Sequence, residues 1–485
     1  MTTGSVAEEP DRFDLREFVR SAGLLSTTSL ASLLRAVITA KLFAVTLGPS
    51  TVGILVQLLN FAAFVGTIIP LGLTTGVVKL VAEARADQEA TNRVVGSAVV
   101  LSLVSATVAA VLLLPASGRI SQVLTGSDRY QALIVMLVLS FPLYNLAGAV
   151  AYVLRGLSAV HRLARASVIN SLGTLLILVP ATFAFGLAGA IGSVLIGSFV
   201  QSALYLGELR FAYRERGWRL TLTRVARRES RVLLGLGAVL LAGGIASWGS
   251  LLLVRTLVVR ELGQHDNGLY QAVYGFSSQY ITVFMTWMAA YVFPRIAARG
   301  PDRIGELLNS ALRANLFLMV PVLCGIVALR SPLIQVFYAH TFLAAASMMP
   351  VQALGDYARI AGWSLGVSLF ALGRIRAHFL LIAGQSALWV LFTVALIPRL
   401  GLPAVSLAYS LSFLLYPLLS YPMLRVWFGF RLTAASGLLT AFGLVSVVVA
   451  AVLPQPFGIV VVPLLPLVVV GGRRRPPWAR LPWAS

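Results

Sequence analysis

The chain has few of the groups on which soluble enzymes and nucleic-acid-binding proteins rely. Charged residues make up 11% of its 485 positions, well below the share of about 25% that is usual in soluble domains. Hydrophobic residues account for 58%, and the mean hydropathy is +0.88. The single cysteine, Cys324, excludes a disulfide within the chain and a cysteine-based metal site. This composition indicates a protein that crosses a membrane several times.

Further absences narrow the class of function. No P-loop of the form G-x4-G-K-[ST] occurs, so direct use of ATP is not expected. The longest connection predicted on the outer face, around SPLIQVFYAHTF, holds no carboxylate, which argues against a membrane enzyme with an acid or base there. The N-terminus lacks a short apolar stretch with a cleavage site, so no cleaved signal peptide is expected. We therefore expect a protein that is not an enzyme and that has no resident metal or cofactor.

Long apolar runs dominate what is present. A hydrocarbon core about 30 Å thick is crossed by roughly 20 apolar helical residues. Fourteen segments meet this need, at residues 22–46, 53–78, 94–115, 130–153, 166–185, 187–207, 232–258, 268–293, 309–329, 345–372, 378–398, 402–424, 434–453 and 456–471. The last segment is short and holds Pro463 and Pro466, so twelve or thirteen spans stay open as alternatives. The predicted fold is an all-α polytopic membrane protein.

The positive charges of the chain indicate its orientation. The formal net charge is +21, and most of the 38 basic residues fall on one side when the N-terminus is placed in the cytoplasm. This bias predicts a membrane protein with both termini cytoplasmic, and makes nucleic acid an unlikely source of the charge. The basic segment 208–231 is interpreted as a linker that sets topology and contacts anionic lipid. Docking of a glycosyltransferase or polymerase there stays open.

An internal repeat predicts how the spans are grouped. LGPSTVGILVQLLNF at 47–61 and LGQHDNGLYQAVYGF at 262–276 share L-G-x4-G at an offset of 215, and GLAGAIG at 186–192 meets GLPAVSL at 401–407 at the same offset. The pattern predicts two parallel, pseudo-symmetric six-helix bundles. The predicted divisions are an N-terminal cytoplasmic segment at 1–21, bundles at 22–207 and 232–428 joined by the linker 208–231, two extra helices at 429–471, and a basic cytoplasmic tail at 472–485.

Polar residues recur at helical spacing inside several predicted spans. The three stripes are Thr28, Ser32, Arg35 and Thr39; Asn60, Thr67 and Thr74; and Gln352, Asp356, Arg359 and Trp363. Hydrogen bonds between helices explain many lone polar residues in membranes. A charge at a helix centre costs on the order of 3 kcal/mol, so Arg35, Asp356 and Arg359 favour a wet cavity or a bound substrate. A self-neutralising pair of Asp356 and Arg359 at i,i+3 is the structural alternative.

Three segments carry a resemblance to a known family. KLFAVTLGPSTVGILVQLLNFAAFVGTIIPLGLTTGVVKLVAEA, YQAVYGFSSQYITVFMTWMAAYVFPRI and VQALGDYARIAGW resemble the O-antigen and enterobacterial-common-antigen flippases of the multidrug/oligosaccharidyl-lipid/polysaccharide exporter superfamily, over roughly residues 18–428. The resemblance implies a MATE-like transporter of two six-helix bundles. It would move an undecaprenyl-diphosphate-linked oligosaccharide, such as an O-antigen or exopolysaccharide unit, from the cytoplasmic to the periplasmic leaflet. The two extra helices depart from a twelve-helix pattern; related lipid II flippases have fourteen.

The same resemblance suggests roles for individual residues. The expected substrate-binding set is Arg35, Lys41, Asn60, Lys79 and Arg255, of which the cations would engage the diphosphate or acidic sugars. Asp356, tuned by Arg359, would bind a coupling proton or sodium ion. For Lys41, snorkelling to lipid headgroups is equally open.

Other functions and partners stay open beside this one. A lipid II flippase or a multidrug and cation antiporter of the same fold is the alternative, with a polyprenyl-glycan membrane enzyme less favoured. The expected partners are the lipid-linked glycan, membrane lipid, and the machinery for polysaccharide polymerisation and chain length.

Overall fold

The computed structural model describes residues 15–221, 227–299 and 304–455, and every regular element in that part of the chain is helical. The fold is therefore all-α, as predicted. The helices are α1 (Leu15–Ile68), α2 (Leu73–Ala84), α3 (Gln88–Leu113), α4 (Ser117–Thr125), α5 (Gln131–Gly156), α6 (Val160–Glu215), α7 (Arg227–Leu262), α8 (Gln264–Trp287), α9 (Phe293–Arg299), α10 (Ile304–Ala328), α11 (Arg330–Phe337), α12 (Met349–Ala371), α13 (Ile375–Leu400), α14 (Pro403–Phe428) and α15 (Ala434–Val452). A π-helical segment, Met288–Val292, joins α8 to α9.

Among the described residues, nine helices are long and apolar enough to cross a membrane. Helix α1 covers the predicted span 22–46 and most of 53–78, and α6 covers both 166–185 and 187–207, because each consists of two helices that meet at a non-helical glycine, Gly48 or Gly186. Helices α8 and α12 fall outside the nine, and they carry the polar residues discussed below. The predicted span at 456–471 and the tail at 472–485 lie outside the described residues, as does most of the predicted N-terminal segment 1–21.

Backbone geometry supports the repeat found in the sequence. Gly48 and its counterpart Gly263 have φ of 71° and 91° with ψ near-extended at 173° and 177°. Gly186 and its counterpart Gly401 have φ of 56° and 61° with ψ of −129° and −141°. Residues with a Cβ atom rarely adopt this region, so glycine is required at all four bends. The same offset of 215 thus relates two pairs of equivalent turns.

Each half of the repeat packs as a bundle. In the first half, α1 packs against α6, and α5 contacts α2, α3 and α6. In the second half, α14 packs against α12 and α13, and α13 also covers α7. Contacts of α1 with α7 and α8 join the two bundles. The core is aliphatic where helices within a bundle meet, as at Leu58, Ile134 and Val138 in the first half.

Helix α15, the first of the two predicted extra helices, is an integral part of the second bundle. It packs against α10 and α12. The Arg313 guanidinium of α10 donates hydrogen bonds to Thr433 (3.3 Å) and Ser436 (3.1 Å) at the start of α15. Farther along α15, the Thr440 carbonyl accepts a hydrogen bond from the Tyr357 hydroxyl of α12. Gly443 of α15 lies against the Tyr357 ring.

The basic linker is partly folded onto the first bundle. Helix α6 continues to Glu215, so the first residues of the predicted linker are helical. The Asn92 side chain at the start of α3 then donates to the Arg219 carbonyl (3.1 Å) and to Thr221 (2.9 Å). These bonds fix the beginning of the linker to α3. Residues 222–226 of the linker lie outside the described residues.

The two ends of α6 are joined by an ion cluster whose centre, Arg162 and Glu208, is buried. Arg162, near the start of the helix, donates to Glu208 (3.1 Å) and to Glu215 near its end. Arg165 also contacts Glu208 (2.9 Å). The Glu208 side chain is 8% exposed and accepts from two arginines, so its charge is compensated. The cluster closes the bend that Gly186 introduces in α6.

Candidate functional site

Asp356 is the centre of the candidate site. It lies in the middle of α12 and is fully buried. Three hydroxyl groups donate to its carboxylate: Ser277 (2.7 Å) and Tyr280 from α8, and Tyr409 (2.7 Å) from α14. A carboxylate in a dry environment is costly unless its oxygens accept hydrogen bonds, and these three donors supply them. Three helices must pack together to build this site.

Arg359 lies one turn beyond Asp356 on the same helix. The salt bridges of the described residues do not include one between these two side chains. The guanidinium instead donates to the Tyr409 hydroxyl (3.1 Å), which in turn donates to Asp356. It also lies over the rings of Phe413 (4.9 Å) and Trp363 (5.7 Å). Cation–π contacts and one shared hydroxyl therefore hold this charge. Asp356 and Arg359 therefore do not form the direct i,i+3 pair that was the structural alternative. The Tyr409 hydroxyl bridges them.

Arg255 of α7 is a second cation in the same bundle, and none of its surface is exposed. Its guanidinium donates to two amide oxygens, those of Asn267 (3.1 Å) and Gln271. It lies against the rings of Tyr270 (5.3 Å) and Tyr274 (5.4 Å), and its Nε atom has no partner. All of these groups are neutral. A desolvated guanidinium with neutral partners keeps its positive field available to an anion.

Aromatic rings connect Arg255 to the Asp356 site. Tyr274 is stacked on Trp389 of α13 at 6.3 Å, and Trp389 meets Tyr409 edge-on at 5.4 Å. Arg255, Asp356 and Arg359 thus belong to one continuous cluster in the second bundle. By the repeat offset, Asp356 corresponds to the buried Phe141 of the first bundle, so the duplication did not produce a matching carboxylate there.

The two bundles are joined near the bends at Gly48 and Gly263. Asn267, which accepts from Arg255, donates across the interface to the Gly53 carbonyl (2.8 Å). Gln57 donates to Thr256 (2.8 Å). Lys41 extends from α1 to the Gln335 carbonyl of α11 (2.9 Å). In this conformation the bundles are closed at the end where Lys41 lies, and Lys41 is part of the closure.

The structure places the other predicted substrate-binding residues outside the cluster. Arg35 is exposed on α1. Asn60, also on α1, is half-buried and has a buried Nδ2 atom without a partner. Lys79 is exposed on α2, 3.9 Å from Glu83 one turn away. The structure therefore brings Arg255, Asp356 and Arg359 together and leaves Arg35, Asn60 and Lys79 apart from them.

Sequence reasoning missed the neutral half of the site. The hydroxyls around Asp356 and the amides around Arg255 belong largely to α8, where polar residues recur at helical spacing: Asn267, Gln271, Tyr274, Ser277 and Tyr280. Apart from Asn267, that stripe lies within the segment at 270–296 that carries the family resemblance. A search for uncharged polar stripes as well as for charges would have found it.

The cluster offers a limited chemistry. Among the residues that the structure describes, no group of three or more His, Cys, Asp or Glu side chains is placed so that it could hold a metal ion. Asp356 and its three hydroxyls form an oxygen-rich site that can hold a proton or a small alkali cation. Arg255 and Arg359 can hold an anion.

Comparisons with known proteins identify the family of the chain. The profile of a family described as "Polysaccharide biosynthesis protein" matches residues 18–299. The lipid III flippase of Escherichia coli (strain K12) is 22% identical over 396 residues, covering 80% of this chain and 93% of the relative. The relatives found are flippases and transporters rather than enzymes, as the sequence predicts.

Solved structures show the same fold. A multidrug resistance MATE family transporter of the MOP superfamily, in an inward-facing conformation, matches with a TM-score of 0.72 at 17% identity, over 83% of this chain and 94% of that one. The lipid II flippase MurJ, in an inward closed conformation, matches with a TM-score of 0.67 at 15% identity, over 94% of this chain and 99% of that one. The chain has the fold of this superfamily and belongs to the polysaccharide biosynthesis protein family.

Proposed function

We propose that the protein moves an undecaprenyl-diphosphate-linked oligosaccharide from the cytoplasmic to the periplasmic leaflet of a bacterial inner membrane. The observation that carries the proposal is Arg255, a fully buried guanidinium that faces two amides and two aromatic rings. A diphosphate is the part of such a lipid that cannot cross hydrocarbon unaided, and arginine suits its recognition. Family membership and the lipid III flippase relative support the same class of substrate.

Alternating access explains how a buried cation can reach its substrate. Arg255 is linked through Asn267 to Gly53, where the two bundles are closed. On the predicted topology this end faces the periplasm, so separation of the bundles here would break that contact and expose the cation on the side where the lipid is released. Arg35 of α1 and Lys79 of α2 are exposed and are candidates for earlier contacts with the diphosphate. Lys41 and Asn60, which lie on α1 with Arg35, are further candidates. Both termini are placed in the cytoplasm on this proposal, and polymerisation and chain-length proteins are further partners.

Coupling to an ion gradient is assigned to Asp356. Its carboxylate is surrounded by three hydroxyls and is linked to Arg359 by Tyr409. Binding of a proton or sodium ion would change the charge of this carboxylate. Since Arg359 shares Tyr409 with it, a change in charge would alter the hydrogen bonds of the whole cluster. The bundle would then have two hydrogen-bonding states that an ion gradient can bias.

A lipid II flippase is the second candidate, favoured by the docking of α15 onto α10 and α12 and by the match to MurJ over 94% of this chain. A cation antiporter is less favoured, because the cluster holds two guanidinium groups and one carboxylate. The test is leaflet translocation in proteoliposomes of an undecaprenyl-diphosphate oligosaccharide, of lipid II, and of an organic cation. Movement of the first with little of the others is the expected result. Efflux of the cation alone would exclude the proposal.

A further inference from the structure

A pocket separate from the Asp356 cluster lies between α7 and the first turns of α13. Its volume is about 260 Å³. It is lined by Gly243, Gly244, Ser247, Trp248, Phe370, Ile375, His378, Phe379 and Ile382. We call it the α7–α13 pocket. None of the residues assigned to the substrate or to the coupling ion lines it.

The lining of the pocket combines flat rings with a few polar groups. Trp248, Phe370 and Phe379 supply aromatic faces, and Trp248 is 40% exposed, so its ring is available to a ligand. The two adjacent glycines leave one wall without side chains, and Ser247 brings a hydroxyl next to the Trp248 indole. Pyranose rings have apolar C–H faces edged by hydroxyls, which stack on aromatic rings while donors and acceptors bind the edge.

The position of the pocket matches that of a glycan at the membrane surface. Ile375, which lines it, is flanked by Arg374 and Arg376, both exposed. Arginines at the ends of spans mark the headgroup region, so the pocket opens near headgroup level rather than in mid-bilayer.

The pocket also connects to the two bundles and to the cluster. Gly244 lies against Thr67 of α1, in the polar stripe predicted to face the cavity. His378 lies 3.5 Å from the Tyr416 hydroxyl, and Tyr416 is stacked on Trp363 at 5.9 Å. Trp363 in turn lies beneath Arg359. A ligand in the pocket would touch Gly244, which packs against α1 of the other bundle, and His378, which is linked through Tyr416 and Trp363 to Arg359.

From this geometry we infer that the α7–α13 pocket binds a pyranose ring of the lipid-linked glycan, with the ring stacked on Trp248 and Phe379. The inference rests on the proposed function. It adds that the protein distinguishes lipids that carry a sugar from lipids that carry none. Arg255 would recognise the diphosphate that all such lipids share. The pocket would recognise the presence of a sugar.

Binding to purified, full-length protein in lipid nanodiscs tests this assignment. The probes are undecaprenyl diphosphate and undecaprenyl-diphosphate N-acetylglucosamine, compared by native mass spectrometry. The wild type is expected to bind the sugar-bearing lipid about fivefold more tightly, the preference that one good aromatic contact provides. Trp248→Ala should remove this preference and Trp248→Tyr, which keeps a ring, should retain it. Phe199→Ala is the control, because Phe199 is an exposed aromatic residue on α6 in the other bundle.

The outcomes separate the inference from the proposed function. If Trp248→Ala binds both lipids as the wild type does, the pocket does not hold the sugar. If the variant weakens both lipids equally, the pocket holds the prenyl chain and the assignment is wrong. If the folded wild type binds neither lipid, the proposed function fails and the inference with it. Preference lost in Trp248→Ala and kept in Trp248→Tyr supports both.

Discussion

Gly53 of α1 and Gly268 of α8 are counterparts in the repeat, and their backbones pack against each other. A methyl group on Gly53 would lie 2.0 Å from the Gln264 carbonyl oxygen and 3.0 Å from the Gly268 nitrogen. One on Gly268 would lie 1.9 Å from the Pro49 carbonyl oxygen. Equivalent residues meet in this way close to the axis that relates two halves, so the contact marks where the pseudo-two-fold axis passes between the bundles.

Substitution of either glycine by alanine should open this end of the protein. The added methyl group would overlap backbone atoms, which cannot move aside as a side chain can. The separation of the two bundles can be measured by double electron–electron resonance. Spin labels would be attached to cysteines at the exposed positions Ser50 and His265, after Cys324 is replaced by alanine. We expect longer distances in Gly53→Ala and Gly268→Ala. Gly66→Ala is the control, since open space surrounds Gly66 on the same helix. Distances equal to those of the control would contradict the prediction.

Sequence reasoning can single out a residue where geometry or energetic cost demands its type. Gly48 and Gly263 reveal the repeat because only glycine adopts their turn readily. Asp356 stands out because a carboxylate in an apolar run is expensive. Its partners Ser277 and Tyr409 could not be identified in the same way. Serine and tyrosine are common in membrane helices, and their contact with Asp356 depends on how α8, α12 and α14 pack, which one sequence does not specify.

Asp356→Asn should uncouple transport from the ion gradient. The amide keeps the shape of the side chain but removes the charge that a proton or sodium ion would neutralise. Initial rates of lipid translocation in proteoliposomes with an imposed proton or sodium gradient should fall about tenfold, equivalent to ~1.4 kcal/mol, and should no longer differ from the rates without a gradient. Ser368→Ala is the matched control, because Ser368 is buried on the same helix and its hydroxyl donates to the Leu365 carbonyl of that helix. A variant that kept both rate and gradient dependence would exclude the assignment.

Tyr409→Phe should give a partial form of the same defect. The Tyr409 hydroxyl accepts from Arg359 and donates to Asp356, so its loss separates the two charges without removing either. The double variant with Asp356→Asn should be no worse than Asp356→Asn alone, because residues of one network are not additive. Rates from all three variants and the wild type complete the cycle. Additive losses would show that Tyr409 acts on its own.

Arg255→Gln should impair transport without lowering stability. The guanidinium is fully buried among neutral groups, so its removal relieves a desolvation cost while taking away the proposed diphosphate contact. Translocation should fall about tenfold or more, as for loss of a charge-assisted contact. Arg313→Gln is the opposite case, since Arg313 holds the start of α15 through Thr433 and Ser436. Thermal unfolding in detergent should show a lower midpoint for Arg313→Gln only. A lower midpoint for Arg255→Gln would instead indicate a structural role.

Glu208→Gln should destabilise the first bundle. Glu208 is the carboxylate that Arg162 and Arg165 share, and its side chain is 8% exposed. A neutral glutamine at this position would leave two cations, Arg162 and Arg165, with one remaining acid, Glu215. The unfolding midpoint should fall by about 3 °C or more. Glu89→Gln is the control, because Glu89 also pairs with an arginine but is 81% exposed, and surface pairs contribute little.

Salt dependence distinguishes the two acids further. Added salt screens an exposed pair but reaches a buried one poorly, so the deficit of Glu208→Gln should persist at high ionic strength, whereas any small deficit of Glu89→Gln should disappear. If both variants unfold alike at low and high salt, the α6 cluster behaves as a surface ion pair. The bend at Gly186 would then depend on packing between the two parts of α6 and their neighbours, since the ion cluster would contribute nothing to its closure.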